Sequence, residues 1–199
     1  MAKIIDYYLS LASPYTLMGA ERVEAIARAA GATLVYKPID LGRLFPLSGG
    51  LPGPKRAPQR QAYRLVEIKR WADFHKLPLN LHPKHFPVPT EVGCRLVLAA
   101  VEQGADAGDL SRRLMRAVWI EERDIADRAT LSAICGEAGL EGGALLAHSE
   151  TPMLFARYEA IQKEALEAQV FGAPTYAYQG ELFWGQDRLD FLERAVARG

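Results

Sequence analysis

Residues 4–16 read Ile4-Ile5-Asp6-Tyr7-Tyr8-Leu9-Ser10-Leu11-Ala12-Ser13-Pro14-Tyr15-Thr16, and the fold turns on how this stretch changes character at Ser13. Residues 4–11 are β-branched and aromatic over the length of one strand. Ser13-Pro14 then has the form of an N-cap followed by proline at the first helical position, where a missing N–H costs nothing. Leu17, Ala20, Val23, Ile26, Ala27 and Ala30 supply an apolar helical face, and Gly31 stands where a helix ends in a left-handed residue. Residues 33–39 form a second strand-like run. A strand, a helix and a strand joined by short connections make one βαβ unit with parallel strands.

The far end of the chain returns to β. Residues 174–178 and 181–184 are strand-like around Gln179-Gly180, a two-residue hairpin turn. A last helix is expected to begin near Gln186, with Leu189, Leu192 and Val196 along one face and Phe191 beside them. In between, residues 47–58 hold Gly49, Gly50, Gly53, Pro52, Pro54 and Pro58 and read as one long irregular loop. Beyond it the periodicity is helical to residue 169, over 60–76, 90–103, 109–121, 130–138 and 152–167. Breaks fall at Pro78, Pro83, Pro87 and Pro89 and at Gly104, Gly108 and Gly139. The order is βαβ, a helical block, then ββα. This is an α/β arrangement with thioredoxin topology and a large all-helical insertion. The expected division is a discontinuous domain of residues 1–45 and 170–199 around an inserted block of residues 46–169.

Composition narrows the function. The 199 residues are 49% hydrophobic, enough for a substantial core, and 24 basic side chains balance 24 acidic ones. A neutral chain argues against nucleic acid or an anionic membrane as the main partner. No apolar run approaches the ~20 residues of a membrane span. Met1-Ala2-Lys3-Ile4-Ile5 meets Asp6 too early for a signal peptide. Cys94 and Cys135 lie far apart and outside any Cys-x-x-Cys, so a cytoplasmic protein with reduced, incidental thiols is expected. His75, His82, His85 and His148 form no metal-binding spacing, and no metal site is expected.

Two junctions carry chemistry. Ser13-Pro14-Tyr15-Thr16 occupies the strand-to-helix junction where thioredoxin-like oxidoreductases place Cys-x-x-Cys. Gly172-Ala173-Pro174-Thr175 precedes the third strand, where that fold places a cis-proline facing the site. A hydroxyl at a helix N-terminus can donate to an anion, and the helix dipole adds favourable potential. A thiol bound there would ionise below its free pKa of about 8.5. A cis Ala173–Pro174 bond would turn the Ala173 backbone toward a ligand. The N–H groups opening at Gly185-Gln186-Asp187 suit a carboxylate, and the Asp187 side chain suits an ammonium. Each feature also has a plain structural use: an N-cap, a trans proline on an edge strand, a solvent-facing carboxylate.

Further stretches carry a family likeness. They are Asp6-Tyr7-Tyr8 through Ser13-Pro14-Tyr15; Pro58-Gln59-Arg60 with Tyr63, Arg70 and Trp71; Phe86-Pro87; Ala117-Val118-Trp119; Phe171-Gly172-Ala173-Pro174-Thr175; and Phe183-Trp184-Gly185-Gln186-Asp187-Arg188-Leu189. With them the chain resembles, over nearly its whole length, the 2-hydroxychromene-2-carboxylate isomerase family, which groups with kappa-class glutathione transferases and DsbA-like thioredoxin proteins. The resemblance implies a glutathione-dependent isomerase acting on a small aromatic or unsaturated substrate, and homodimers are frequent in such families. It implies that Ser13 stabilises the glutathione thiolate, that Ala173, Pro174, Gln186 and Asp187 hold glutathione, and that Arg60 faces a carboxylate of glutathione or substrate. Tyr15 and Trp184 are expected to wall an aromatic pocket, while Tyr63, Trp71, Trp119 and Phe155 read as core by their helical spacing.

The chain departs from the family at three places. Gly50 and Pro89 stand where relatives carry Asn, and Glu67 where Asp is usual. Neither Gly nor Pro replaces a directional side-chain amide, so the substrate itself stays open. Two alternatives remain: a kappa-like glutathione transferase or peroxidase, and a non-catalytic DsbA-like binding protein. A disulfide oxidoreductase is disfavoured because serine cannot form the mixed disulfide.

Overall fold

In the computed structural model, which describes residues 2–199, β1 (Ile4–Leu9) and β2 (Thr33–Pro38) pair in parallel, with Ile4 opposite Thr33 and Leu9 opposite Pro38. Helix α1 (Pro14–Ala29) joins them and ends at Gly31, whose φ of 62° suits a residue without a Cβ. β3 (Thr175–Tyr178) and β4 (Glu181–Trp184) add antiparallel strands, giving the order β2-β1-β3-β4. Gln179 and Gly180 both take positive φ, 51° and 84°, as a type I′ hairpin turn requires.

The sheet separates two chemistries by strand alternation. Tyr7 stacks on Tyr176 and lies beside Tyr36, on the face covered by α1. Tyr8, on the opposite face, lies beside Lys37, a buried lysine that pairs with Asp6 at 3.0 Å and with Glu164. Gly19 lets α1 settle onto β3: a Cβ there would sit 2.7 Å from the Tyr176 hydroxyl and 3.0 Å from Gln186 Cβ.

Between β2 and β3 run α2 (Leu41–Ser48), α3 (Pro58–His75), α4 (Glu91–Glu102), α5 (Ala107–Trp119), α6 (Arg128–Glu137), α7 (Gly142–Ser149) and α8 (Pro152–Glu167). Helix α9 (Leu189–Arg198) follows a 3-10 turn at Gln186–Arg188. One buried cluster runs without a break from Ile5, Tyr7 and Leu9 in the sheet through Leu96 and Leu98 of α4 to Leu114 and Trp119 of α5. Helix α3 stands apart from it. Its only buried residues, Ile68 and Ala72, meet Met18 of α1 in a separate small cluster.

Three expectations need correction. The long loop is shorter than residues 47–58, because α2 already occupies Leu41–Ser48; Asp40 caps it by accepting from Gly42 N at 2.7 Å, and Gly49 ends it at φ 76°. Pro46 and the glycines that follow hid that helix, and a 3-10 turn at Gly53–Lys55 orders part of the remainder. Helix α7 also escapes periodicity, since it opens with Gly142 and Gly143; a Cβ on Gly142 would lie 2.4 Å from the Ser132 carbonyl, so the glycine permits close packing on α6. Tyr63 and Phe155, expected in the core, are 58% and 40% exposed, because helical spacing marks a face without saying what covers it. Phe155 instead lies under the Arg95 guanidinium, 3.8 Å from its ring centre. Trp71 is half-buried, and Trp119 alone of the four is fully enclosed.

Candidate active site at the Ser13 junction

Ser13 leaves β1 in extended conformation, φ −100° and ψ 121°, and caps α1. Its N–H donates to the Ser10 carbonyl at 3.0 Å. Its hydroxyl oxygen accepts from Thr16 N and its O–H donates to the Ala173 carbonyl, each at 3.3 Å. Bonds of that length are weak, so the O–H can turn to another acceptor at small cost. The first turn of α1 leaves little else open. Pro14 has no N–H, Thr16 N is capped, and Leu17 N reaches the Ser13 carbonyl. Among the described residues, the Tyr15 N–H has no protein acceptor.

The opposing segment is held by backbone bonds. Ala173–Pro174 is cis, Gly185 N donates to the Pro174 carbonyl at 2.9 Å, and Thr175 Oγ1 donates to the Gly172 carbonyl at 2.7 Å. The Ala173 N–H has no acceptor among the described residues. Trp184 lies alongside: its indole covers Gly172, where a Cβ would fall 2.5 Å from Nε1, and its ring meets Phe171 at 4.8 Å.

Ser13, Ala173 and Pro174 therefore come together as their positions in sequence suggest. Gln186 and Asp187 lie further along α1, at the level of Gly19, about 9 Å from Ser13 at the α-helical rise. The Gln186 side chain is buried and its Oε1 lies 3.0 Å from His75 Nε2, which ties the end of α3 to this turn. Asp187 is exposed and pairs with Arg188 at 2.5 Å. Arg60 stands exposed on the first turn of α3.

One residue near the site was not singled out by sequence. Arg64, one turn beyond Arg60, is half-buried, with its guanidinium 5.8 Å from the Phe86 ring centre and 5.9 Å from that of Trp119. Burial lowers its pKa, and the charges it feels come from Tyr15 and Arg56, with no carboxylate among them. Burial likewise raises the Tyr15 phenol, and Arg64 opposes that shift. A signal was available: Arg64 falls four residues before Ile68 and eight before Ala72, on the stripe of α3 that faces α1.

The remaining chemistry of the chain is quiet. Burial pushes the Cys94 thiol up to about 12 and the Cys135 thiol up to about 11, far from a reactive thiolate. A cleft between α1, α3 and α5 exposes Arg112 and Arg113, but Glu24 and Asp109 already answer their charges. Among the described residues no three metal-ligating side chains gather, and no helix is long and apolar enough to cross a membrane. The junction thus offers a turnable hydroxyl, two open amide N–H groups and an unanswered cation, all suited to an anionic ligand.

A family model described as DSBA-like thioredoxin domain matches residues 4–197. A 2-hydroxychromene-2-carboxylate isomerase from Sphingobium xenophagum is 27% identical over 194 residues, covering 97% of this chain and 97% of the relative. Glutathione S-transferase kappa 1 from Rattus norvegicus is 21% identical over 96% of this chain and 89% of the relative. A solved structure of a 2-hydroxychromene-2-carboxylate isomerase superposes with a TM-score of 0.82 at 25% identity, covering 98% of this chain and 95% of that one.

Proposed function

Since the chain belongs to the DSBA-like thioredoxin domain family, we propose that it is a glutathione-dependent isomerase of the 2-hydroxychromene-2-carboxylate isomerase type, acting on a small unsaturated aromatic acid from ring degradation. The observation that carries this reading is the Ser13 hydroxyl, held by two weak bonds at a helix start with no cysteine at position 13 or 16.

The residues present fit glutathione. The Ala173 N–H lacks an acceptor, as a strand-like partner for a cysteinyl backbone should. Glutathione bound there supplies a thiolate that can add reversibly to an unsaturated carbon, with no net redox change. Ser13 turns its O–H from the Ala173 carbonyl toward the sulfur, and the Tyr15 N–H with the α1 dipole adds positive potential. Together they favour the ionised thiol. The turn at Gln186–Arg188 receives the γ-glutamyl end; Asp187 meets the ammonium by exchanging its exposed bond to Arg188. In this reading Tyr15 and Trp184 wall the aromatic ring of the substrate. The buried, unpaired cysteines fit a reducing cytoplasm.

One observation favours a second reading, a kappa-type transferase. Where relatives carry an Asn, Gly50 packs beneath Phe45, and a Cβ there would lie 2.4 Å from that ring. An Asn at this position would require the Phe45 ring to move. The two readings separate on stoichiometry. The folded protein, 2-hydroxychromene-2-carboxylate and sub-stoichiometric glutathione should give a glutathione-dependent absorbance change with no loss of free thiol. Stoichiometric thiol loss supports the transferase, and turnover independent of glutathione removes both.

A further inference from the structure

Arg64 differs from every other arginine packed into the protein. Arg95 is held by Glu91 and the Ser149 carbonyl, Arg112 by Glu24, and Arg123 by Glu121 and Glu137. Arg64 is half-buried, as Arg112 and Arg123 are, yet it has neither an acid nor a hydrogen-bond acceptor among the groups that act on it. Taking a cation partly out of water is unfavourable, and the Phe86 and Trp119 rings offset part of that cost without offering a hydrogen-bond acceptor. The nearby charge makes this worse, because Arg56 repels it. Below it, the buried Trp119 Nε1 also lacks an acceptor among the described residues. Donors crowd this spot and no protein acceptor serves them.

The location is specific. Arg64 faces Tyr15, two residues beyond Ser13, at the start of α1, while the Gln186 turn lies at the level of Gly19 further along the helix. Phe86 sets an aromatic ring beside the guanidinium. A planar guanidinium offers paired donors that match a carboxylate in two parallel bonds. We infer that Arg64 is the seat for the carboxylate of the acceptor substrate, a planar aromatic acid that presents its unsaturated carbon toward Ser13. The inference rests on the proposed function only for the reaction that follows binding; the seat itself needs no glutathione.

The test is calorimetric titration of the whole chain, without glutathione, using trans-cinnamate and its neutral analogue cinnamamide. Parent, Arg64→Gln and Arg64→Lys proteins are compared, with thermal melts to establish that each is folded. Loss of a charge-assisted pair should weaken cinnamate about tenfold or more in Arg64→Gln, with part of the affinity kept in Arg64→Lys. Cinnamamide affinity should not change, and separate titrations with glutathione should agree among all three proteins. The inference is overturned if the parent does not bind cinnamate, binds it no better than cinnamamide, or if Arg64→Gln binds it as the parent does. A fall in glutathione affinity instead of cinnamate affinity assigns the cation to glutathione and overturns it too. Failure of the isomerase reading appears elsewhere, as turnover that ignores glutathione.

Discussion

The two sides of the Ser13 site are made of different material. One side is main chain around a single side-chain group, the Ser13 hydroxyl: the Ala173 carbonyl and N–H, the Tyr15 N–H and the Gly185-to-Pro174 bond, registered by β1, β3 and β4. The other side is side chain: Tyr15 from α1 with Arg64, Phe86 and Trp119 from the insertion, in contact through packing and cation–π geometry. A backbone wall presents the same donors whatever the neighbouring residues are. A side-chain wall is rewritten by single substitutions. Under the proposed function, thiol binding falls to the first and substrate choice to the second, and the difference can be tested from either side.

The harshest test removes the base of the second wall. Trp119 is 1% exposed, packs against Phe86 at 4.9 Å between ring centres, and belongs to the core shared by sheet and insertion. Trp119→Ala should therefore cost about 3–5 kcal/mol in urea unfolding, the range for truncating a buried large aromatic. A cost under about 1 kcal/mol, typical of surface changes and mild substitutions, would mean that the insertion wall is not anchored in the core.

The first wall should respond in the opposite way, with little stability lost and much activity. Ser13→Ala removes one cap bond of 3.3 Å, which should cost about 1 kcal/mol of stability. It also removes the hydroxyl that donates to the Ala173 carbonyl, and loss of a single donor to developing charge lowers turnover about 100-fold, or ~2.7 kcal/mol. Steady-state rates with glutathione present, read beside the melting temperature, check both halves. A variant as active as the parent would remove Ser13 from the reaction, and absence of turnover in both would point to a non-catalytic DsbA-like binding protein.

The same division governs what the sequence discloses. The backbone wall was legible because its residues sit at element junctions with strong local rules: Ser-Pro at a helix start, Ala-Pro before a strand, a two-residue turn at Gln179-Gly180. The strands and most helices followed from periodicity for the same reason. Helix α2 stayed hidden behind Pro46 and its glycine neighbours, and α7 behind Gly142 and Gly143, because residues that disfavour helices locally are overridden there by packing on α8 and α6. The side-chain wall was not legible. Arg64 in a helical run looks like any solvated charge until the approach of α3 to α1 is known, and that approach depends on contacts distant in sequence.

A smaller effect concerns the core that carries the insertion wall. The Cys94 thiol is buried on α4 and raised to about 12, against about 8.5 for an unfolded cysteine. The folded state then holds its proton where the unfolded state releases it. The stability from this group is fully present below pH ~8.5 and is lost as pH rises toward the folded value, at about 1.4 kcal/mol per pH unit. Between pH 8 and pH 10 the parent should lose about 2 kcal/mol more than Cys94→Ala, measured as the difference in urea midpoints. Parallel pH profiles for the two proteins would show that the thiol is not enclosed, and that this part of the core is looser than its packing suggests.

The smallest expected effect is also the sharpest comparison, because Arg60 and Arg64 differ by a single turn of one helix. Both lie on the stripe of α3 that continues to Ile68 and Ala72, but only Arg64 reaches the part that α1 and Phe86 cover. Arg60 is exposed, so water already solvates its charge and a passing anion gains little from it. Arg60→Ala should change stability by less than about 0.5 kcal/mol and leave cinnamate and glutathione affinities as in the parent. If instead Arg60→Ala weakens cinnamate while Arg64→Gln does not, the anionic end of the ligand sits one turn nearer the solvent. The side-chain wall would then end at the mouth of the site and leave Arg64 a purely structural cation.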